Sequence, residues 1–228
     1  MTIPVRLWRN FWMAHSEFWK KMKLSIKVCG MAEETNMAEV AALSPDYMGF
    51  IFHQPSPRNA LSLMPEAVCK LPAPVTAVGV FVNKSVSEIM ATAARYGIST
   101  VQLHGDETPE MCSELKGHGF TVWKAIGTEG TVDSEALAPY CGSVDCFVFD
   151  TKSPQHGGTG MKYDWELLSS YTLDIPFMLS GGISSEDVGR ILDFRHPMLV
   201  GVDVNSRFEV APGIKNIAKL HEFIMKLR

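Results

Sequence analysis

The sequence lacks the features that define several large classes of protein. None of its 228 residues lies in an apolar run approaching the roughly 20 residues that a membrane-spanning helix needs. Basic residues are not in excess, because 21 Lys and Arg stand against 25 Asp and Glu, for a formal net charge of -4. Since binding along a nucleic-acid backbone requires a surplus of positive charge, we expect neither a nucleic-acid nor a membrane partner.

Cysteine is also scarce and unpatterned. The chain has 5 cysteines, and none belongs to a CxxC or His-flanked pattern that would suit zinc. Scattered thiols in odd number indicate reduced cysteines in a cytosolic protein, and no charged start followed by an apolar run suggests a signal peptide. The sequence therefore predicts a cytoplasmic location, and packed, inert thiols at four of these positions: Cys69, Cys112, Cys141 and Cys146.

What the chain does contain is a regular alternation of short apolar runs and longer amphipathic segments from Leu24 onward. This alternation is typical of strand-helix units around a parallel sheet. Several of the runs lack polar alternation, as expected for strands that are covered on both faces. The pattern predicts eight strands, at Ile26–Cys29, Tyr47–Phe52, Thr76–Phe81, Thr100–Leu103, Thr121–Ala125, Cys146–Phe149, Phe177–Ser180 and Leu199–Val202.

The segments between these strands predict helices, several of which begin with a capping residue or an early Pro. They are Glu33–Leu43, Pro65–Leu71, Ser85–Tyr96, Pro109–Lys116, Trp165–Ser169, Ser185–Leu192 and Gly213–Leu227, with a short fifth helix around Ser134–Tyr140. No GxGxxG follows the first strand, which argues against a dinucleotide-binding sheet. The sequence therefore predicts an α/β fold, a single (β/α)8 TIM barrel.

The first 23 residues do not follow this alternation and are dense in Trp, Phe, Lys and Arg. We therefore expect an N-terminal extension over residues 1–23 and a barrel domain over residues 24–228. One interpretation of the extension is an arm without a catalytic role, upstream of a plausible start at Met22. The other is a helix that docks on a membrane surface or a partner, because such helices interleave basic residues with Trp and Phe.

Polar and reactive residues follow most of the predicted strands, which is where TIM barrels carry their chemistry. The first strand ends in KVCG, SPR follows the second, and the fourth ends in QLHG. FDTK and GGTG follow the sixth strand, and the last two strands lead into LSGGI and VDVNS. These fragments supply the candidate site residues Lys27, Cys29, Arg58, Gln102, His104, Asp150, Gly181, Gly182, Asp203, Asn205 and Ser206.

In their order along the chain, the fragments KVCGM, SPR, QLHGDE, FDTK, GGTG, LSGGI, GVDVNS and PGIK resemble the phosphoribosylanthranilate isomerase family, from about Leu24 to the end. The resemblance implies an Amadori rearrangement of N-(5'-phosphoribosyl)anthranilate to 1-(2-carboxyphenylamino)-1-deoxyribulose 5-phosphate in tryptophan biosynthesis. It implies this phosphorylated small molecule as the partner, and no metal or organic cofactor.

The implied reaction needs an acid on the furanose oxygen and a base that removes the proton from C2 of the sugar. By resemblance, Asp150 is the acid and Cys29 the base. A thiol acts as a base only when it is a thiolate, so we expect a cation or dipole to lower the pKa of Cys29, and Lys27, two residues upstream on the same strand, could help. The alternatives are a packed, inert thiol at Cys29 and a turn-capping carboxylate at Asp150.

The other candidates are assigned to binding of the substrate. By resemblance, Arg58 contacts the anthranilate carboxylate, whereas a surface Arg is ordinarily solvated. His104 is either a rim histidine with a structural hydrogen bond or, with Gln102, a residue that orients the substrate. Residues after the last two strands are assigned to the phosphate, through backbone N–H groups and side-chain donors: Gly181, Gly182, Asn205 and Ser206. Asp203 is assigned to substrate binding. The glycines of Gly157–Gly160 are expected to form a loop over the substrate.

Two other functions remain possible at this point. Another phosphosugar barrel, such as indole-glycerol-phosphate synthase or the histidine-pathway isomerase, shares the phosphate loops but lacks this pairing of Cys29 with Asp150. A non-catalytic barrel could bind a phosphorylated ligand or dock a partner through the N-terminal arm. For the oligomeric state we expect a monomer, with a dimer as the alternative.

Overall fold

Eight parallel strands form a closed barrel in the computed structural model, which describes residues 23–128, 132–151 and 165–228. Each strand pairs with the next one along the chain, and the eighth pairs with the first. The strands are β1 Ser25–Cys29, β2 Tyr47–Ile51, β3 Thr76–Phe81, β4 Thr100–Leu103, β5 Thr121–Thr128, β6 Cys146–Thr151, β7 Phe177–Leu179 and β8 Leu199–Val204. The predicted (β/α)8 barrel is therefore confirmed.

Helices cover the outside of the barrel. They are α1 Glu34–Ala42, α2 Pro65–Cys69, α3 Val86–Tyr96, α4 Pro109–Gly117, α5 Ser134–Leu137, α6 Val188–Asp193 and α7 Ile217–Leu227, with 3-10 turns at Ala138–Tyr140, Trp165–Ser170, Ser185–Asp187 and Ser206–Phe208. Local sequence explains the best-defined ends. Ser85 and Glu88 form a reciprocal capping box at the start of α3, and Gly97 ends that helix in the left-handed conformation that glycine adopts without strain.

Successive side chains of each strand point alternately out of and into the barrel, so the protein has two apolar cores. Outward-facing side chains such as Phe147, Phe177 and Val202 pack beneath the helices in the larger core. Inward-facing side chains fill the barrel interior, in a smaller cluster of Val78, Trp123, Ala125, Cys146, Val148 and Met178. This apolar cluster fills the barrel interior. Polar side chains of a functional site are therefore expected at the carboxyl ends of the strands.

The predicted helix Gly213–Leu227 starts too early in the chain. The helix begins only at Ile217, because Ile214–Lys215 (β10) pairs antiparallel with Glu209–Ala211 (β9). Gly213 supplies a left-handed residue in the turn, with φ 84°, and the Asn216 side chain accepts from the Lys219 N–H to cap α7. Two other helix predictions were wrong in type. Trp165–Ser170 is a 3-10 turn, and the segment from Ser185 begins as 3-10 before α6.

Two predictions lie outside the described residues: the N-terminal extension, apart from its last residue, and the Gly157–Gly160 loop. In the part of the chain that the structure describes, none of the helices has the length and apolar character to cross a membrane.

Deleting Met1–Met22 should leave the barrel folded, because the described strands that close it begin at Ser25. Circular dichroism and the melting temperature of the truncated and full chains would test this division of the chain. A truncated chain that fails to fold would mean that aromatic residues of the extension complete the core.

Candidate active site

Four strands bring polar side chains to the same mouth of the barrel. Alternation places Lys27 and Cys29 of β1 on the inner face, while Val28 between them packs in the outer core. Buried polar side chains on the other strands are Gln102 on β4, Asp150 on β6 and Asp203 on β8. The structure thus brings together residues that are up to 176 positions apart in sequence.

Cys29 is almost fully buried at the end of β1. Its strand partner in the register is Gly49 of β2, and a Cβ on that glycine would lie 2.6 Å from the Cys29 sulfur. Any side chain at position 49 would therefore displace the thiol. Sequence reasoning missed Gly49, because its role depends on the register between two strands. Among the other cysteines, Cys112 and Cys146 are buried as predicted, but Cys69 and Cys141 are exposed.

A buried ion pair lies directly below the thiol. The Lys27 ammonium donates to Asp203 Oδ2 at 2.7 Å, and Lys27 has no exposed surface. Burial alone lowers the pKa of Lys27, but the Asp203 carboxylate and Cys29 raise it above its usual range. Lys27 therefore remains a cation beside Cys29.

The expected lowering of the Cys29 pKa is wrong. Burial raises the pKa of this thiol, and the positive charges of Lys27 and Lys215 offset only part of the effect. The physical reason is that an anion removed from water loses more solvation energy than the neighbouring cations return.

Asp150, His104 and Gln102 form a line across the mouth. Asp150 Oδ2 lies 3.5 Å from His104 Nε2, and His104 Nδ1 lies 3.5 Å from Gln102 Nε2. The strand end that carries Asp150 is held by Thr128, whose hydroxyl donates to the Asp150 backbone carbonyl at 2.9 Å. If the amide donates to Nδ1, the histidine carries its proton on Nε2, facing the carboxylate.

Two acceptor atoms in this mouth are buried without a partner among the described residues. They are Gln102 Oε1 and Asp203 Oδ1. Buried polar atoms nearly always have a hydrogen-bond partner, so such exceptions call for an explanation. Both belong to side chains at strand ends of the same mouth, which is where a bound molecule with hydroxyl groups could donate to them.

A second charged cluster lies at the edge of the mouth, between the loop after β2 and the β9–β10 hairpin. Arg58 contacts Glu209 through Nε at 3.0 and 2.9 Å and through Nη2 at 2.8 Å. The buried Lys215 ammonium donates to Glu209 at 2.8 Å and to Asn205 Oδ1 at 2.7 Å. Sequence reasoning identified Arg58 and Asn205 but missed Glu209 and Lys215, although Lys215 ends the PGIK fragment.

Gly30 lets this cluster approach Cys29. It adopts φ 76°, and a Cβ there would lie 2.8 Å from Asn205 Oδ1 and 3.1 Å from Arg58 Cδ. A side chain at this position would therefore be strained and would collide with both neighbours. The structure brings Cys29, Arg58 and Asn205 together around this glycine.

The predicted phosphate loops lie next to each other, because β7 pairs with β8. Gly181 and Gly182 follow β7 with φ of 81° and 67°, a conformation that would be strained for other residues. Ser206 begins the 3-10 turn after β8. The Asn205 side chain is already engaged through its oxygen by Lys215, so only its amide nitrogen could serve as a phosphate donor.

The described residues contain no group of three or more His, Cys, Asp or Glu side chains arranged to hold a metal ion.

The fold and site together define an enzyme of the (β/α)8-barrel class with acid-base groups at the carboxyl end of the strands. Residues 26–226 match the N-(5'phosphoribosyl)anthranilate (PRA) isomerase family. The chain is 42% identical over 204 residues to the N-(5'-phosphoribosyl)anthranilate isomerase of Parabacteroides distasonis, covering 89% of this chain and 92% of that protein. It therefore belongs to this family and is an isomerase.

Solved structures agree with this assignment. The phosphoribosyl anthranilate isomerase of Thermotoga maritima has a TM-score of 0.76 at 31% identity, covering 90% of this chain and 98% of that one. A phosphoribosyl anthranilate isomerase in complex with reduced 1-(o-carboxyphenylamino)-1-deoxyribulose 5-phosphate has a TM-score of 0.73 at 28% identity, covering 90% and 98%. The predicted family is confirmed, and the other phosphosugar barrels are not supported.

Proposed function

We propose that this isomerase converts N-(5'-phosphoribosyl)anthranilate into 1-(2-carboxyphenylamino)-1-deoxyribulose 5-phosphate by acid-base catalysis with its own side chains. The observation that carries the proposal is the presence of a buried thiol and a buried carboxylate, Cys29 and Asp150, on inner-face strand ends of one barrel. A family relative that binds a reduced form of this product supports the choice of substrate.

In the proposed reaction, Asp150 donates a proton to the furanose oxygen as the C1–O bond breaks and the anilino nitrogen forms a C=N bond. Cys29 then removes the proton from C2, and the electrons of that C–H bond move toward the nitrogen to give an enolamine. The enolamine becomes the ketone when its C2 hydroxyl loses a proton and C1 gains one, which returns both side chains to their starting protonation states. Cys29 and Asp150 lie on β1 and β6, which are three strands apart around the closed barrel. We expect the sulfur and the carboxylate to be separated by roughly 6–10 Å, since each needs hydrogen-bond reach to its own atom of the sugar.

His104 and Gln102 support the acid in this scheme. Once Asp150 has given up its proton, an Nε2–H on His104 can donate to the new carboxylate, and Gln102 keeps that proton in place by donating to Nδ1. The unpartnered Gln102 Oε1 and Asp203 Oδ1 are then available to accept hydrogen bonds from the sugar hydroxyls.

The phosphate in this proposal lies between the loops after β7 and β8. Two consecutive glycines, Gly181 and Gly182, let backbone N–H groups approach an anion closely, and Ser206 adds a hydroxyl donor.

The carboxylate of the substrate is assigned to Arg58, and Arg58→Ala should therefore raise KM strongly while lowering kcat less. A carboxylate contact holds the substrate and the transition state almost equally, so its loss appears mainly in KM. Steady-state kinetics would check this, with Arg95→Ala on the exposed face of α3 as the control. A large loss of kcat at unchanged KM would instead assign Arg58 to the chemical steps.

The direct test of the proposed function is an assay with phosphoribosylanthranilate generated in situ, followed through the loss of its fluorescence. Turnover by the wild-type chain that is abolished in Cys29→Ala would support the scheme. A chain that gives no turnover under any condition in which it is folded would contradict it.

A cytoplasmic location and a monomeric state, with a dimer as the alternative, stay predictions from the sequence. Size-exclusion chromatography with light scattering would test the oligomeric state.

A further inference from the structure

We propose that Glu209 is a positioning residue that fixes the guanidinium of Arg58 and so makes the isomerase selective for an arylamine that carries a carboxylate. The inference rests on the proposed function, because it takes Arg58 as the group that meets this carboxylate. Nothing in the sequence alone pointed to Glu209, which lies 151 residues after Arg58.

The geometry of the pair is the first reason. Glu209 meets Arg58 through Nε and Nη2, which form the side edge of the planar guanidinium. An arginine has a second edge, formed by Nη1 and Nη2, that can also hold a carboxylate with two parallel hydrogen bonds. With the side edge held by Glu209, the orientation of the end edge is fixed before the substrate binds.

Glu209 is itself rigidly held. Its Oε1 accepts from the Lys215 ammonium at 2.8 Å and from the Gly213 N–H at 3.1 Å, in addition to Arg58. Burial alone raises the pKa of Glu209, but the hydrogen bonds from Arg58 and Lys215 bring it below its usual range, so the group is a carboxylate. The Glu209 carboxylate on the β9–β10 hairpin is thus held in place by three donors: Arg58, Gly213 and Lys215.

Charge balance gives the reason for selectivity. Arg58 and Lys215 both donate to the Glu209 carboxylate, and all three side chains are largely withdrawn from water. Burial lowers the pKa of Lys215, and the Glu209 carboxylate offsets part of this effect. With Lys215 protonated, the cluster carries one net positive charge, which the carboxylate of the substrate neutralises. A ligand without this group would leave the charge uncompensated when it displaces water from the site, and a site built to pair a charge rejects such a ligand.

The test is a binding cycle with Glu209→Gln, Arg58→Ala and the double variant. Calorimetry would measure the Kd of the reduced product analogue, 1-(2-carboxyphenylamino)-1-deoxyribitol 5-phosphate, and of its phenylamino counterpart without the carboxylate. Glu209→Gln should weaken binding of the first by about tenfold to thirtyfold, which corresponds to ordering one arginine side chain on binding. Binding of the second should change less than twofold.

Two features of the cycle separate positioning from a merely structural role. In the Arg58→Ala background, Glu209→Gln should have almost no further effect, because the two side chains act as one unit. Glu209→Asp, which keeps the charge, should recover part of the affinity. Equal losses for both ligands, or additive losses in the double variant, would overturn the proposal, since Glu209 would then act through Lys215 and Asn205 on the phosphate end.

Glu222→Gln on the exposed face of α7 is the matched control and should leave both Kd values unchanged. Melting curves would show whether Glu209→Gln is folded, and Glu209→Asp carries the test if it is not. A wild-type chain that binds the analogue in a Glu209-dependent way but shows no turnover would contradict the proposed function and support this inference. An active enzyme whose binding of the analogue is unchanged by Glu209→Gln would support the proposed function and contradict this inference.

Discussion

Replacing Cys29 with alanine should lower kcat by a factor on the order of 10²–10⁴, which is the usual contribution of a positioned general base. The thiol lies at the end of β1 with Lys27 below it, and no other ionisable side chain on that strand end could remove the C2 proton. Affinity for the product analogue should hardly change, because the proposed phosphate and carboxylate contacts involve other residues. Single-turnover kinetics and calorimetry on the same preparation would separate the two effects.

Cys112→Ala is the matched control, since it removes another buried thiol, on α4 and away from the strand ends. It should keep kcat, even if the melting temperature falls because of the cavity left in the core. If Cys29→Ala retained more than a tenth of the wild-type kcat, the base would have to be another group.

The protonation state of Cys29 can be measured separately. Because burial raises the pKa of the thiol, the thiolate fraction should still be increasing as pH rises past the usual thiol value of about 8.5. The difference in ultraviolet thiolate absorbance between the wild type and Cys29→Ala would follow this titration. A midpoint below pH 8 would show that the cations Lys27 and Lys215 outweigh desolvation, which is the opposite balance.

The barrel could be predicted from the sequence because most strands are short apolar runs that are followed by polar residues. Seven of the eight predicted strands begin at the observed first residue, and the other begins one residue late, at Ile26 instead of Ser25. Strand ends were harder to predict. β5 and β8 extend beyond the predicted ends to Thr128 and Val204, because polar or glycine residues inside a strand weaken the apolar signal there.

The candidate site was predictable to the extent that it follows from strand ends in a closed barrel. Because the barrel is closed, β1 pairs with β8, and Lys27 lies opposite Asp203 in the register of these two strands. This pairing follows from the topology of the barrel and not from the local sequence. The β9–β10 hairpin was missed because strands of three and two residues leave no periodic pattern. Glu209 and Lys215 were lost with it, and their roles become visible only where the hairpin packs against Arg58.

The sign of the Cys29 pKa shift lay beyond the sequence for a different reason. Two nearby lysines would favour the thiolate, while burial opposes it, and the outcome depends on depth and distances that no motif encodes. As the proposed base, Cys29 must be a thiolate when the C2 proton is removed, and burial opposes this ionisation.

Asp150→Asn should also lower kcat by a factor on the order of 10²–10⁴, the usual contribution of a positioned general acid. The amide has nearly the same shape as the carboxyl group but cannot protonate the furanose oxygen, so ring opening should become the slow step. Affinity for the reduced product analogue should stay within a few-fold of the wild type, since that ligand is already ring-opened. Asp193→Asn at the exposed end of α6 is the control and should leave both quantities unchanged.

A ring-opened form of the substrate, supplied to the enzyme, should restore turnover to Asp150→Asn but not to Cys29→Ala. Only the second variant lacks the proposed group that removes the C2 proton. Nearly full kcat in Asp150→Asn would move the acid to another side chain of the mouth, and His104, with its Nε2 lying 3.5 Å from Asp150, would be the next to test.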